Sequence, residues 1–206
     1  DLTSCGFNDF YDVWYVWTPT ESGTGVAGTC NNTDFDTTLA VFDACGGTEL
    51  ACNDDACGLQ SIVYFPVTAG TPYWIRVAGY NGAMGTFELR ADVYPPPAND
   101  DCANAAVITA GVPVSGYTYG ATGTDLTSCG FNDFYDVWYV WTPTESGTGV
   151  AGTCNNTDFD TTLAVFDACG GTELACNDDA CGLQSIVYFP VTAGTPYWIR
   201  VAGYNG

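Results

Sequence analysis

The sequence predicts an all-β fold made of jelly-roll-like β-sandwich modules that are repeated in tandem. Short apolar runs recur about every 8–12 residues and are separated by turns rich in Gly, Pro, Asn and Asp, a pattern typical of sandwiches and barrels. No segment carries the apolar stripe of an amphipathic helix. We therefore expect about eight antiparallel strands in each module.

The repeat itself sets the domain organisation. Residues 1–82 are identical to residues 125–206, whereas residues 83–124 occur once, so the repeat period is 124 residues. Solenoid periods are about 20–50 residues, and this longer period suits a whole domain. Prolines at positions 95–97 favour a stiff spacer. We expect a first sandwich over residues 1–94, a proline linker over 95–98 and a second sandwich over 99–206.

This division places both ends of the chain inside a module. The first module would lack the N-terminal strands that the second one has after residue 99. The second module would lack a C-terminal strand equivalent to residues 85–94. We expect neighbouring copies of the repeat to supply both.

The strands of one complete module follow from its apolar runs. Residues 112–122 are glycine-rich and alternate loosely, which predicts an edge strand, and the aromatic, β-branched run 136–142 predicts a central strand. Gly170-Gly171-Thr172 is typical of a hairpin turn. Further strands are predicted over residues 149–154, 161–167, 173–178, 184–191 and 197–204, and over the equivalent of 85–94.

Charge and cysteine content indicate where the protein acts. The chain has 24 acidic residues, three arginines and neither lysine nor histidine, giving a net charge of -21. Such a field repels nucleic acid and anionic membranes, so neither is an expected partner. Eleven cysteines without metal-binding spacings indicate an extracellular location, secreted or on the cell surface. No apolar run reaches the roughly 20 residues of a membrane span.

Cysteine parity distinguishes the two modules. The complete module has six cysteines and the first module has five, which makes Cys5 the expected odd thiol. Six cysteines allow 15 pairings, and we expect three pairs in the second module and two in the first. These are Cys169 with Cys176, Cys154 with Cys181 and Cys102 with Cys129 in the second module, and Cys45 with Cys52 and Cys30 with Cys57 in the first.

Several segments, taken in order, resemble the bacterial pre-peptidase C-terminal domain family. They are NDDCANAAVITAGVPVSGYTYGAT, DVWYVWT, FDTTLAVFDACGGTELACNDDACG, SIVYFPVTAGTPYWIRVAGY and GTFELRADV, and together they cover essentially the whole repeat. The resemblance implies a secreted jelly-roll β-sandwich that accompanies proteases and other exported proteins, often as a non-catalytic accessory or binding module. This chain departs from that setting because the module is joined to an identical copy of itself.

We do not expect catalysis. Without histidine there is no imidazole-dependent triad, and without lysine there is no Schiff-base or Ser-Lys chemistry. Carboxylate pairs such as Asp178-Asp179 are available, but adjacent aspartates are more typical of solvated turns. The prediction is a protein that is not an enzyme and has no catalytic cofactor.

Calcium is a candidate ligand because hard cations prefer carboxylate and carbonyl oxygens from loops. The same residues also satisfy turns, and no loop has the full EF-hand spacing. The resemblance adds weight to the loop after the prolines, because related collagen-binding modules bind calcium through an acidic linker before the first strand. The candidate ligands are Asp34, Asp36, Asn53, Asp54 and Asp55, then Asn99, Asp100 and Asp101, and then Asp158, Asp160, Asn177, Asp178 and Asp179.

Covalent glycans are a second candidate addition. Asn31 and Asn155 each begin an Asn-Asn-Thr sequon, the acceptor pattern for N-linked sugars. Serine and threonine are also abundant enough for O-linked sugars.

Together these features favour a structural role. We predict an extracellular filament, sheath or surface array in which copies of the module are one another's partners. The array would be one long polypeptide of tandem modules, or separate chains that complete each other by strand addition. The alternative is a non-catalytic accessory module that binds polysaccharide or protein for a secreted hydrolase or adhesin.

Overall fold

The chain folds into two β-rich units. A computed structural model describes residue 5 and residues 9–123, 126–154 and 157–205. The chain divides into two compact units, Asp1–Pro95 and Pro96–Gly206, with the boundary in the sequence inside the proline run. The described residues form strands, turns and loops, with a single 3-10 turn at Cys102–Asn104. The all-β prediction with two tandem repeats is confirmed. No helix in these ranges has the length and apolar character of a membrane span.

Unit 1 has seven strands in its described residues, arranged in two antiparallel sheets. One sheet has the order β1-β6-β3-β4 and the other β5-β2-β7. Side chains alternate along each strand, so each sheet turns one face to a shared core, which includes Leu39, Val41 and Phe65. The strands are β1 (Asp9–Trp17), β2 (Gly23–Asn31), β3 (Thr37–Phe42), β4 (Glu49–Asn53), β5 (Ile62–Val67), β6 (Tyr73–Tyr80) and β7 (Glu88–Tyr94).

Unit 2 repeats this plan with two differences in its described residues. The larger sheet has a short additional strand at one edge, and the smaller sheet has two strands where unit 1 has three. Its described sheets have the orders β12-β11-β14-β9-β8 and β10-β13. All pairs are antiparallel except β8 with β9, which is parallel. Leu163, Val165 and Phe189 are central to the core. The strands are β8 (Ala106–Ile108), β9 (Asp136–Trp141), β10 (Gly147–Gly152), β11 (Thr161–Phe166), β12 (Glu173–Asn177), β13 (Ile186–Val191) and β14 (Tyr197–Gly203).

One predicted strand is wrong. Residues 112–122 form turns and irregular chain, and the strand beside β9 is β8. Two glycines explain this difference, since Gly111 just before the segment and Gly120 within it have φ of 74° and 75°, a conformation that interrupts a strand ladder. The other predicted strands are present with their ends moved by a few residues.

Each unit buries one arginine between two aspartates. In unit 2, Arg200 on β14 contacts Asp136 through Nε at 2.7 Å and Asp133 through Nη1 at 2.6 Å. In unit 1, Arg76 on β6 contacts the equivalent Asp9 and Asp12. These ion pairs tie the start of β9 and of β1 to the centre of the larger sheet.

Candidate functional site

An acidic corner follows β4 in unit 1, where the charges of Asp54 and Asp55 act on Asp36. An equivalent corner follows β12 in unit 2. Burial raises the pKa of the Asp36 carboxyl above its ordinary value, and the charges of Asp55 and Asp54 raise it further. Burial also raises the pKa of Asp160, and its equivalent neighbours add to the effect. The Oδ1 atoms of Asp36 and Asp160 are buried and accept no hydrogen bond from the described residues. The corner is therefore electrostatically unfavourable when all its carboxylates are ionised.

The structure does not support the calcium prediction. Within the part of the chain that the structure describes, no three His, Cys, Asp or Glu side chains come together as a metal-binding group. Two candidate carboxylates instead hold loops in place: Asp34 accepts hydrogen bonds from the amide and hydroxyl of Thr86, at 2.7 and 3.0 Å, and Asp100 accepts the same pair from Thr122, at 2.5 and 2.6 Å.

The other candidate ligands have mainly local contacts. Asn53 and Asn177 accept hydrogen bonds from the amides of Ile62 and Ile186 through their side-chain oxygens, at 3.4 and 3.2 Å. The Asp101 carbonyl accepts a hydrogen bond from the amide of Asn104 at 2.8 Å. Burial, followed by the charge of Asp55, raises the pKa of Asp54. Asp158 is exposed, and Asp178 and Asp179 act on Asp160 as described above.

The structure contains five disulfides, and the sequence predicted two of them. The predicted pairs Cys30 with Cys57 and Cys154 with Cys181 are present. The predicted pairs Cys45 with Cys52, Cys169 with Cys176 and Cys102 with Cys129 are wrong. The observed bonds join Cys5 with Cys52, Cys129 with Cys176 and Cys102 with Cys169. Among the described residues the unpaired cysteine is Cys45, not Cys5.

Strand geometry explains the correction. The β3–β4 ladder ends at the pair Phe42 and Glu49, so Cys45 lies in the turn beyond the ladder and not opposite Cys52. Neighbouring residues on a strand point to opposite faces. Because Ala51 packs against the core, Cys52 points to the other face of the sheet, where it meets the N-terminal segment. The same geometry directs the equivalent cysteines of unit 2.

Only one of the two sequons falls in the described ranges. Asn31 is exposed at the end of β2, and the Thr33 hydroxyl of its sequon donates to the carbonyl of Thr29 at 2.6 Å. Asn155 lies outside the residues that the structure describes.

Among the described residues, the first open strand edge is the outer edge of β1 in unit 1. β1 is the last strand of its sheet, whereas its repeat equivalent β9 lies between β14 and β8. Val13 and Trp14 on β1 are 43% and 36% exposed, but the equivalent Val137 and Trp138 are 2% and 6% exposed. The same sequence therefore has an uncovered apolar edge in one unit and a covered edge in the other.

The segment that covers β9 is residues 99–108. The amide of Trp138 donates to the carbonyl of Asn99 at 2.8 Å, and the Asn99 side chain donates to the carbonyl of Trp138 at 2.9 Å. β8 then continues alongside β9, with Ala106 opposite Tyr139. The disulfide from Cys102 fixes this segment to the loop after β11.

The second open edge is β10 in unit 2. In unit 1 the equivalent strand β2 pairs with both β5 and β7, but in the described part of unit 2 β10 pairs only with β13. A groove of about 870 Å³ runs along β10, lined by core side chains that include Leu163 and Trp141 and by residues 109–118. Unit 1 packs Phe87, Leu89, Ala91 and Val93, from β7 and the residue before it, against the equivalent core.

Sequence reasoning found part of this site. The expectation that the second module lacks a strand equivalent to residues 85–94 stays a prediction; in the described residues β10 pairs with β13 alone. The parity count showed that the first module has an odd thiol, but it assigned that thiol to the wrong position. The exposure of Trp14 was missed because identical residues in two copies give no signal that their surroundings differ.

Comparison with known proteins gives one family. A family model described as galactose binding domain-like and T9SS-associated matches residues 2–90 and 98–205, which together make up most of the chain. No curated protein matches the chain. The tandem β-sandwich part of the earlier resemblance agrees with this result, but the match does not confirm membership of the pre-peptidase C-terminal family.

Proposed function

Because the chain belongs to the T9SS-associated family of galactose binding domain-like modules, we propose that it is an exported, non-catalytic module that builds an extracellular filament or surface array. The observation that carries this proposal is that, in the described part of the chain, each unit has an open strand edge whose counterpart in the other unit is covered. Among the described residues, each unit therefore has one strand edge that is paired where the equivalent edge of the other unit is not.

The covered edges support the proposal because they come from one short stretch of chain. Residues 87–94 complete the core of unit 1, and residues 99–108 cover the edge of unit 2. A stretch that completes the module before it and the module after it links modules in a fixed direction. Head-to-tail contacts of this kind extend into a linear array when the rotation from one module to the next does not close a ring.

The open edges have the chemistry of assembly surfaces. An unpaired strand offers a row of amide and carbonyl groups to another strand, and the groove along β10 offers apolar side chains to one face of that strand. Alternate residues of a strand such as β7 fill such a groove, while the backbone makes the ladder. This combination binds a strand of defined sequence more readily than a small soluble ligand.

Secretion fits the same proposal. The family is associated with the T9SS, the type IX secretion system, and the five disulfides require an oxidising compartment. The disulfides would also stiffen each module in an array.

Electron microscopy of the native material tests the proposal. We expect filaments or ordered sheets whose repeat corresponds to one or two modules. Dispersed single particles at every concentration would reject an assembly role. Reducing, denaturing electrophoresis separates the two routes, because one continuous polypeptide remains very long whereas strand addition between separate chains dissociates.

A second candidate is glycan binding, favoured by the family description and by one surface. Tyr64 on β5 and Tyr188 on β13 are exposed and lie opposite Val26 and Val150, on the outer face of the smaller sheet. Exposed tyrosines of this kind can stack on sugar rings. If this function is correct, galactose-containing polysaccharide retains the protein, and replacing Tyr64 and Tyr188 together by alanine weakens that retention. Equal retention of the wild type and the double variant would exclude this surface.

A further inference from the structure

We propose that the β1 edge of unit 1 is a docking site for residues 99–108 of another copy of the repeat, locked by a disulfide between Cys45 and Cys102 of that copy. The inference rests on the proposed function, because it names the partner and the covalent link of one open edge. Four observations, which compare the two units, support it.

The first observation is the state of one cysteine. Cys45 is exposed and unpaired among the described residues. Its repeat equivalent, Cys169, forms a disulfide with Cys102, with the two Cα atoms 5.5 Å apart. The same residue in the same turn is therefore seen with its partner in one unit and without it in the other.

The second observation is that the ring pair at the receiving surface already has the arrangement that its equivalent has in unit 2. The Trp14 and Phe42 rings are 5.3 Å apart at an angle of 43°, and the equivalent Trp138 and Phe166 rings are 5.4 Å apart at 46°. In unit 2 this ring pair is buried together with partly buried Cys102 and Ala105. A surface that needs no rearrangement loses little affinity to ordering when its partner binds.

The third observation is that β1, after a bulge between Phe10 and Val13, has the register of β9: Val13–Trp17 pair with Val77–Tyr73 as Val137–Trp141 pair with Val201–Tyr197. The Nε atom of Arg76 lies 2.7 Å from a carboxylate oxygen of Asp12, and Arg200 and Asp136 have the same separation. The ion pair thus fixes the start of the edge with or without a covering segment.

The fourth observation is the register that the edge requires. In unit 2, the three residues of β8 pair in order with Tyr139, Val140 and Trp141. The equivalent residues in unit 1 are Tyr15, Val16 and Trp17, all on β1. A docked segment would add a parallel strand there and place its Ile108 against the core, where Ile108 packs in unit 2.

The covalent step is a two-electron oxidation. A bond forms between the Sγ atoms of Cys45 and of Cys102 in the other copy. Their two protons and two electrons pass to a small-molecule disulfide, such as oxidised glutathione, which becomes two thiols. Docking promotes the step by placing the two sulfurs together.

The test uses the whole chain and a synthetic peptide of residues 97–123, which contains one cysteine, Cys102. Chain and peptide are mixed in a glutathione redox buffer, and the adduct is followed by intact mass and peptide mapping. One control peptide has the same composition in scrambled order with its cysteine in place. A second carries Ile108→Asp, which alters recognition but leaves the protein unchanged. The Cys45→Ser chain is the control for the site of attachment.

We expect the native peptide to form a one-to-one adduct at Cys45 at least about tenfold faster than either control peptide, since the docked segment presents its sulfur at a high effective concentration. The Cys45→Ser chain should form no adduct. Equal rates for the three peptides would overturn the proposal, because Cys45 would then be only an exposed thiol. An adduct at the cysteines of unit 2 would overturn the assignment to unit 1.

This outcome is distinguishable from that of the proposed function. Capture of the peptide by a protein that never forms filaments would support the docking site and reject the array. Filaments formed by a protein that discriminates none of the peptides would support the array and reject the docking site.

Discussion

Replacing Arg200 by methionine should cost unit 2 a large part of its stability. The Arg200 side chain is 1% exposed, and its two partners, Asp133 and Asp136, are 0% and 5% exposed. Methionine fills much of the same volume but leaves both carboxylates without their cation. Breaking a buried ion pair in this way costs about 3–5 kcal/mol.

The pKa values of Asp133 and Asp136 are shifted in opposite directions. Burial opposes ionisation of Asp133, but hydrogen bonds from Thr127 and Arg200 lower its pKa below the ordinary value, and the Leu126 amide also contributes. Burial raises the pKa of Asp136 despite the nearby Arg200. Without the arginine the pKa of Asp136 should rise further, because the charge and the hydrogen bond of Arg200 are the main influences that lower it. The folded variant would then bind an extra proton, and its deficit should shrink as the pH falls through that raised pKa.

Urea unfolding followed by tryptophan fluorescence measures the loss. The matched control is Arg90→Met, because Arg90 pairs with Glu88 at the surface, where the side chains are 70% and 38% exposed, and such pairs contribute only about 0–1 kcal/mol. The double variant Arg200→Met with Asp136→Asn should recover part of the loss. A free energy of unfolding within about 1 kcal/mol of the wild type for Arg200→Met would refute the assignment of a stabilising buried pair.

Three further substitutions test other features. Gly149→Ala should lose about 1–3 kcal/mol of stability, since its Cβ would lie 2.7 Å from a methyl carbon of Val191, whereas Gly147→Ala on the same strand meets no atom within 4 Å and should be near neutral; equal effects would contradict the packing argument. Asp160→Asn should raise the melting temperature at neutral pH. The raised pKa of Asp160 makes the wild type gain stability as pH falls, so the difference should vanish in acid, and a pH-independent difference would count against repulsion. Replacing Cys154 and Cys181 together by serine should cost about 3–4 kcal/mol, because that disulfide closes 27 residues of chain; an unchanged urea midpoint would show that it contributes little.

Local pattern predicted most strands because alternation and turn chemistry act over a few residues. β11 (Thr161–Phe166) was recognised as an apolar run, and the glycines after it as a hairpin turn; the structure buries all six residues of that strand.

The parts that failed depend on contacts between distant segments. The partner of Cys169 is Cys102, 67 residues away in the chain, and sequence proximity gives no information about such a pair. The β8 strand is only three residues long and pairs in parallel, so it carries little local signal. The environment of Trp14 depends on whether another segment covers β1, which no property of β1 itself reveals.

The burial of two arginines also bears on how well the folded chain resists proteases. Trypsin cleaves after lysine and arginine, and this chain has no lysine and three arginines. Arg76 and Arg200 are enclosed within folded sheets, which leaves Arg90 on β7 as the accessible cleavage site among them. That site lies in a strand hydrogen-bonded to β2, and a protease needs an extended, unpaired segment. The same ion pairs that anchor the strand edges therefore hide the chain from a common class of extracellular protease for as long as the sheets stay folded.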